Sequence, residues 1–273
     1  MIPRVFVREW RTQVPWIEDF QVEQDLIISR AIVELFSDSV FASALALRGG
    51  TALNKLQLMS PSRYSEDIDL VQIEAGPAGP LMDRVRSVLD PWLGQAVWKQ
   101  SKGRVTFGYR FLSEEMPAKR MRLKVEINTR EHFAVLGFEK YPYHVDSGWF
   151  SGTADVTTFV LDELLATKLR ALYQRRKSRD LFDLIVGLSG DQCDAERIAA
   201  TFAEYMNHEG SSVTRAMFER NLSEKLRDPV FLEDMNGLVG PTTEWQPNDA
   251  ARTISQDLIA FLPGEPWKGN FKT

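Results

Sequence analysis

Asp67 and Asp69 stand two residues apart in the run Ser65-Glu66-Asp67-Ile68-Asp69-Leu70. In a strand, residues i and i+2 share a face. The two carboxylates would therefore project side by side, with Ile68 and Leu70 turned to the core. Like charges that close raise each other's pKa, and a cation between them removes the penalty. Oxygen donors with no Cys or His nearby suit a hard ion, Mg²⁺ or Mn²⁺. A third acid, Glu126, lies in a second strand-like run, Leu123-Lys124-Val125-Glu126-Ile127-Asn128. It shares its face with Lys124 and Asn128, opposite Leu123, Val125 and Ile127. If the two strands are neighbours, Glu126 completes a three-carboxylate cluster able to hold two metals. Two such ions can activate an attacking oxygen and stabilise a leaving phosphate.

Upstream, Gly49-Gly50 is followed by Thr51 and a helical pattern. Glycine lets backbone N–H groups approach a phosphate closely, and a helix beginning near Thr51 would point its positive end there. Lys55, one turn on, could add a charge. Ser65 lies two residues before Asp67, on the same face if the strand extends that far, and could bond a phosphate. It reads equally as a loop hydroxyl bonded to backbone. Arg63 could position this loop or a phosphate, and Glu66 should face away from the metals. Taken singly, an Asp-x-Asp also fits a solvated strand end, and a Gly-Gly a tight turn. The signal is the order: Gly-Gly, helix, Asp-x-Asp strand, then a later strand with one acid.

The positioning elements follow from periodicity. Val22, Leu26, Ile27, Ala31, Ile32, Leu35 and Phe36 predict a scaffold helix. Ala44 to Arg48 reads as a short buried strand feeding the glycines. Thr51 to Met59 reads as a helix ended by Pro61. Leu81 to Leu89 reads as an amphipathic helix stopped by Pro91. Strands are expected over Val97–Gln100, Arg104–Leu112 and Val156–Val160, with an aromatic, irregular stretch over Thr129–Gly152. From Leu161 onward the pattern is helical, with Leu161–Gln174, then Arg179–Leu188 capped by Ser178. Asp180 and Asp183 fall in that helix's first turns, favourable against its dipole. Lys168, Arg170, Arg175, Arg176, Lys177 and Arg179 crowd around them, which also fits a solvated face. Further helices are expected near Ala195–Tyr205, Ser212–Arg227 and Ala250–Phe261, with a loop over Gly237–Asn248.

The wording GGTALNK, RYSEDIDL, KVEIN and KLRALYQRRKSRDLFDL resembles the AbiEii/MenT family of toxin nucleotidyltransferases, within the DNA polymerase β-like nucleotidyltransferase superfamily. The four motifs occur in the family's order between about Leu47 and Leu184. The gap between Gly50 and Asp67 is longer than in many superfamily members and suits this subgroup. The resemblance implies a bilobed α/β (α+β) protein: a nucleotidyltransferase lobe over 1–156 and a helical lobe over 157–273. It implies an NTP substrate, an RNA acceptor (in known cases the 3′ end of tRNA), translation arrest and a cognate antitoxin. It also assigns Lys168 to the nucleotide triphosphate and Asp180 to an essential catalytic or orienting role, with Asp183 as the substitute.

Composition bounds these readings. The 273 residues carry a net charge of −5, which excludes a uniformly basic nucleic-acid coat but not local basic stripes. A single cysteine, Cys193, forms no intrachain disulfide, which suits a reducing cytoplasm. The start, MIPRVFVREW, has no apolar signal segment, and the apolar runs are too short to span a bilayer. The three histidines lack metal-ligand spacing. Two other classes stay open: an NTP-binding regulatory module without transfer, and a nucleotidyltransferase acting on a small molecule or protein. The second would favour an acidic acceptor pocket, the RNA reading a basic one.

Overall fold

The computed structural model describes residues 2–58, 61–190, 192–240 and 243–269. The chain divides into two compact units, Met1–Phe159 with Val239–Pro241, and Val160–Leu238 with Thr242–Thr273.

The first unit opens with helix α1 (Arg4–Trp10) and a 3₁₀ turn, Arg11–Gln13. Next come α2 (Asp19–Ser37) and α3 (Ser39–Ala44). Strand β1 (Leu45–Arg48) runs into α4 (Gly49–Ala52), which continues as a π-helical turn, Leu53–Gln57. The remaining elements are β2 (Asp67–Gln72), α5 (Gly79–Leu93), β3 (Val97–Ser101), β4 (Arg104–Leu112), β5 (Arg120–Asn128), β6 (Phe138–Asp146) and β7 (Ser151–Phe159). The strands form one sheet in the order β3-β4-β5-β2-β1-β7-β6. The β2–β5 and β1–β7 pairs are parallel, the others antiparallel.

Alternation sets the faces of this sheet. Leu123, Val125 and Ile127 of β5 are fully buried beside Val105, Phe107 and Tyr109 of β4. Helices α2 and α5 pack on these strands, and the Tyr109 hydroxyl donates to Asp90 of α5 at 3.0 Å. A reciprocal cap of Glu18 and Gln21 starts α2. The N-terminal segment is held to α2 by the indole N–H groups of Trp10 and Trp16, which donate to buried Asp25 at 2.9 and 3.1 Å.

The second unit is helical: α6 (Leu161–Gln174), α7 (Ser178–Leu188), α8 (Ala195–His208), α9 (Arg215–Lys225), α10 (Pro229–Glu233) and α11 (Pro247–Asp257), then a 3₁₀ turn, Ile259–Phe261. Helix α6 packs on α7, α8 and α9. Carbonyls of its last turn, at Leu172 and Tyr173, accept from the Lys225 ammonium. Burial pulls that lysine's pKa down to about 8.

Several elements depart from the sequence reading. Pro91 does not stop α5 but lies inside its last turn, where only one carbonyl bond is forfeited. The stretch read as irregular contains β6, paired along its length with β7. Pro142 hid that strand; it is accommodated because β6 is the sheet edge, where a missing N–H costs no ladder partner. The helix after the glycines begins at Gly49 and turns π-helical, with Leu58 N–H reaching Leu53 O at 3.1 Å. Its expected end at Met59 lies outside the described residues, as do 241 and 242 of the expected loop. Ser178 is the first residue of α7, not its cap; Lys177 takes the cap position, and the Ser178 hydroxyl is buried without a hydrogen-bond partner. Among the described residues no helix is long and apolar enough to cross a membrane.

Candidate active site

The glycine turn is defined by what presses on it. Gly49 has φ +77°, and a Cβ there would lie 2.7 Å from Asp69 Oδ2. A Cβ on Gly50 would collide with the guanidinium of buried Arg63. Both positions therefore require glycine by close approach. Thr51 sits 2.6 Å from Ser65, hydroxyl to hydroxyl, and donates to the Asp67 carbonyl. It thereby ties the turn to the start of β2. Asn54 does similar work: its amide donates to Gly50 O at 2.9 Å, and its Oδ1 accepts from the Ser62 hydroxyl at 2.7 Å. Thr51 is buried and Ser65 half-buried, so the two hydroxyls serve the loop first.

Lys55, expected at the phosphates, lies elsewhere. The π-helical turn swings it into the core, where its ammonium is 3.0 Å from both Asp25 oxygens and 2.9 Å from the Ser29 hydroxyl. Tyr143 donates to the same Ser29 at 3.0 Å. Burial opposes the charge, but Asp25 and Tyr143 outweigh it and hold the Lys55 pKa above its ordinary value.

The strand register brings the carboxylates together. Strands β2 and β5 are parallel neighbours, with Asp69 opposite Glu126 and Asp67 opposite Lys124. On the other side of β2, Arg48 is opposite Asp69. On β4, Thr106 is opposite Glu126 and Gly108 opposite Lys124. Asp67, Asp69 and Glu126 thus share one face, with Lys124 among them. The Lys124 ammonium is 2.8 Å from Asp67 Oδ2 and 3.8 Å from Glu126 Oε2, and Arg104 is 3.6 Å from Glu126. Burial raises the Asp67 pKa, Lys124 works against that rise, and the Asp69 charge adds to it. Burial also opposes the Lys124 charge, while its bond to Asp67 and the surrounding carboxylates hold its pKa up.

This is a shared face, not a closed cage. Among the described residues no three acid, His or Cys groups are gathered tightly enough to hold a metal. The ammonium of Lys124 supplies positive charge between Asp67 and Glu126. The donor chemistry fits a hard cation: carboxylate oxygens only, two from adjacent same-face positions of one strand and one from across the ladder. Lys124 itself was not assigned a role from sequence, although its alternation with Glu126 placed it on this face. Arg48, also missed, pairs with Glu131 at 2.9 Å.

In the second unit Lys168 and Asp180 do meet. The Lys168 ammonium is 2.7 Å from Asp183 and 3.4 Å from Asp180. Asp180 receives two further bonds from Arg175, at 2.7 and 2.8 Å. Both aspartates are fully buried and Lys168 nearly so. The neighbouring cations are likewise engaged: Arg170 with Glu209, Arg176 with Asp228, and Lys177 and Arg179 with Asp234. Burial raises the Asp234 pKa, but hydrogen bonds from Arg179 and Lys177 prevail and bring it down to about 2. The basic run keeps exposed side chains at Arg175, Arg176 and Lys177 and is joined into an intramolecular ion-pair network. Its partners lie up to 57 residues away in sequence.

Comparison with known proteins agrees with this architecture. The structure matches MenT4, a nucleotidyltransferase toxin from Mycobacterium tuberculosis H37Rv, with a TM-score of 0.67 at 18% identity, covering 96% of this chain and 89% of that one. It also matches an antigenic nucleotidyltransferase-like protein from Paracoccidioides brasiliensis, with a TM-score of 0.41 at 15% identity, covering 78% of this chain and 95% of that one. No curated protein matches the sequence. The model of the family described as nucleotidyl transferase AbiEii toxin, type IV toxin–antitoxin system, matches residues 30–254. The chain belongs to the AbiEii family of nucleotidyltransferase toxins.

Proposed function

We propose that this nucleotidyltransferase toxin transfers a nucleoside monophosphate from an NTP to the 3′ end of an RNA, with tRNA as the acceptor and arrested translation as the outcome. The observation that carries the chemistry is the row formed by Asp69 of β2 and Glu126 of β5, with Asp67 beside it and the Gly49 backbone against Asp69. The acceptor hydroxyl oxygen bonds to the α-phosphorus, the α–β phosphoanhydride breaks, and pyrophosphate leaves. Asp67, Asp69 and Glu126 would hold Mg²⁺ or Mn²⁺, which supplies Lewis-acid stabilisation of charge on the phosphates. The Gly49 and Gly50 backbone N–H groups would bind a phosphate, while Thr51 and Ser65 hold the turn to β2. Lys124 pairs with Asp67 and lies beside Glu126, and Glu126 takes up the hydroxyl proton.

In this reading, Lys168 and Asp180 are positioning residues of the helical region 157–273, locking α6 to α7 through Asp183 and Arg175. The RNA acceptor and the antitoxin partner come from the family resemblance; a cytoplasmic site of action follows from an RNA target. Incubating the chain with Mg²⁺, each NTP in turn and total tRNA, then reading tRNA 3′ ends by mass spectrometry, tests the acceptor. A mass gain of one nucleotide at 3′ termini is expected. Nucleotide incorporated only into protein or small molecules would overturn the tRNA assignment.

A further inference from the structure

The first unit holds a cavity of about 370 Å³ that the carboxylate row does not explain. Phe20, Gln24, Tyr64, Arg120 and Arg122 line it, and it reaches Asp67. Its walls follow from the packing of α2. The Gln24 amide nitrogen donates to Glu66 O and Arg122 O, each at 3.2 Å, fixing the start of α2 to the starts of β2 and β5. The Oε1 of the same side chain is buried and has no hydrogen-bond partner. Through its amide nitrogen the Gln24 side chain thus fixes this wall of the cavity. Tyr64 is buried and held edge-on to Trp16 at 5.8 Å, so this wall is fixed.

Beside the cavity, positive charge is gathered from two neighbouring strands. Arg122 of β5 is directly opposite Arg110 of β4, and Arg120 precedes Arg122 by two residues on the same face. All three are exposed. Among the described residues none forms an ion pair with a carboxylate, whereas Lys168, Arg175, Arg176, Lys177 and Arg179 all do. Like charges directly opposite in a ladder destabilise it. Gly108 gives Arg122 its place: a Cβ there would lie 3.0 Å from Arg122 Nε, so the guanidinium lies across the glycine. On a chain of net charge −5 this is a local anion-attracting strip leading to Asp67.

We propose that the cavity and these arginines form the acceptor subsite. The terminal nucleotide of a single-stranded polynucleotide enters the cavity, its base against Phe20 and Tyr64. The preceding phosphates lie along Arg120, Arg122 and Arg110. Exposed Glu66 at the cavity disfavours placing a phosphate inside it. The proposal rests on the reading of Asp67 as part of the catalytic centre.

The test is fluorescence anisotropy of a labelled short single-stranded RNA across a salt series, with NTP binding measured separately by equilibrium dialysis. Removing two phosphate contacts in the Arg120→Ala/Arg122→Ala variant should reduce the slope of log K against log salt by about 1.4 and weaken binding about tenfold. Arg120→Lys/Arg122→Lys should retain the slope. Phe20→Ala should weaken binding about tenfold through lost stacking, with the slope unchanged. NTP affinity should be the same in all. An unchanged slope in the alanine variant overturns the proposal. A parallel loss of NTP affinity also overturns it and assigns the arginines to the triphosphate. A wild-type chain that binds RNA through these arginines yet transfers nothing to it leaves the binding site standing and removes the catalytic reading instead.

Discussion

Replacing Lys55 by methionine removes the cation facing the buried Asp25 carboxylate. The ammonium makes contacts of 3.0, 3.0 and 2.9 Å, and the side chains of Lys55 and Asp25 are 7% and 4% exposed. At that separation the attraction is about 5–6 kcal/mol for an effective dielectric of about 20. Desolvation offsets part of it, and removing one member of a buried pair typically costs about 3–5 kcal/mol. Asp25 would retain only the indole donors of Trp10 and Trp16. Lys55→Met should therefore lower unfolding stability by about 3 kcal/mol or more, while Asp25→Asn/Lys55→Met should recover most of the loss. Urea unfolding followed by tryptophan fluorescence suits the site, because two of its reporters bond the same carboxylate. A cost under about 1 kcal/mol, together with a tenfold loss of NTP affinity, would refute the reasoning and return Lys55 to the phosphates.

Other outcomes follow from the same geometry. Glu23 is buried, with one oxygen unpartnered and the other accepting from Glu114 N–H at 2.8 Å, and burial pushes its pKa up to about 7. The folded state then binds the extra proton, so stability falls as pH rises from about 4.5 to 7, by up to about 3 kcal/mol. Glu23→Gln should flatten that part of a stability–pH curve measured by denaturant titration. Asp234, held at about 2 by Arg179 and Lys177, adds stability above its unfolded pKa that is lost as pH falls from about 4 to 2. Asp234→Asn should cost about 2 kcal/mol at pH 7 in the same assay. Gly49→Ala places a methyl against Asp69 at φ +77°; a cost of about 1–2 kcal/mol and a sharp fall in pyrophosphate release are expected. Unchanged release would mean that the close approach of this turn to Asp69 is dispensable.

Legibility from sequence tracked how local each interaction was. The shared face of Asp67 and Asp69, and of Lys124 and Glu126, is a period-two statement and was readable residue by residue. That β2 and β5 lie side by side is not local: β3 and β4 intervene in the chain, and only the register makes Asp69 and Glu126 opposite. Lys55 shows the limit most clearly. Its spacing from Gly50 was legible, but the π-helical turn that rotates it toward Asp25 was not. The charge run from Lys168 to Arg179 read as open positive surface because Glu209, Asp228 and Asp234 are far along the chain. Conversely, Arg110, Arg120 and Arg122 are not legible as a group, since they come together only when β4 pairs with β5. Strand β6 was masked by Pro142, which is permitted by an edge position that sequence does not reveal.

In the proposed function the acids of β2 and β5 act as one site for nucleotidyl transfer. The direct measurement is single-turnover transfer of an α-labelled NTP to RNA by the intact chain, by Asp67→Asn/Asp69→Asn and by Glu126→Gln, with folding checked by thermal unfolding. Both variants should fold, and each should lose transfer by about 10³-fold or more. Transfer that survives Glu126→Gln at the wild-type rate, or survives loss of both β2 aspartates, would contradict the proposal.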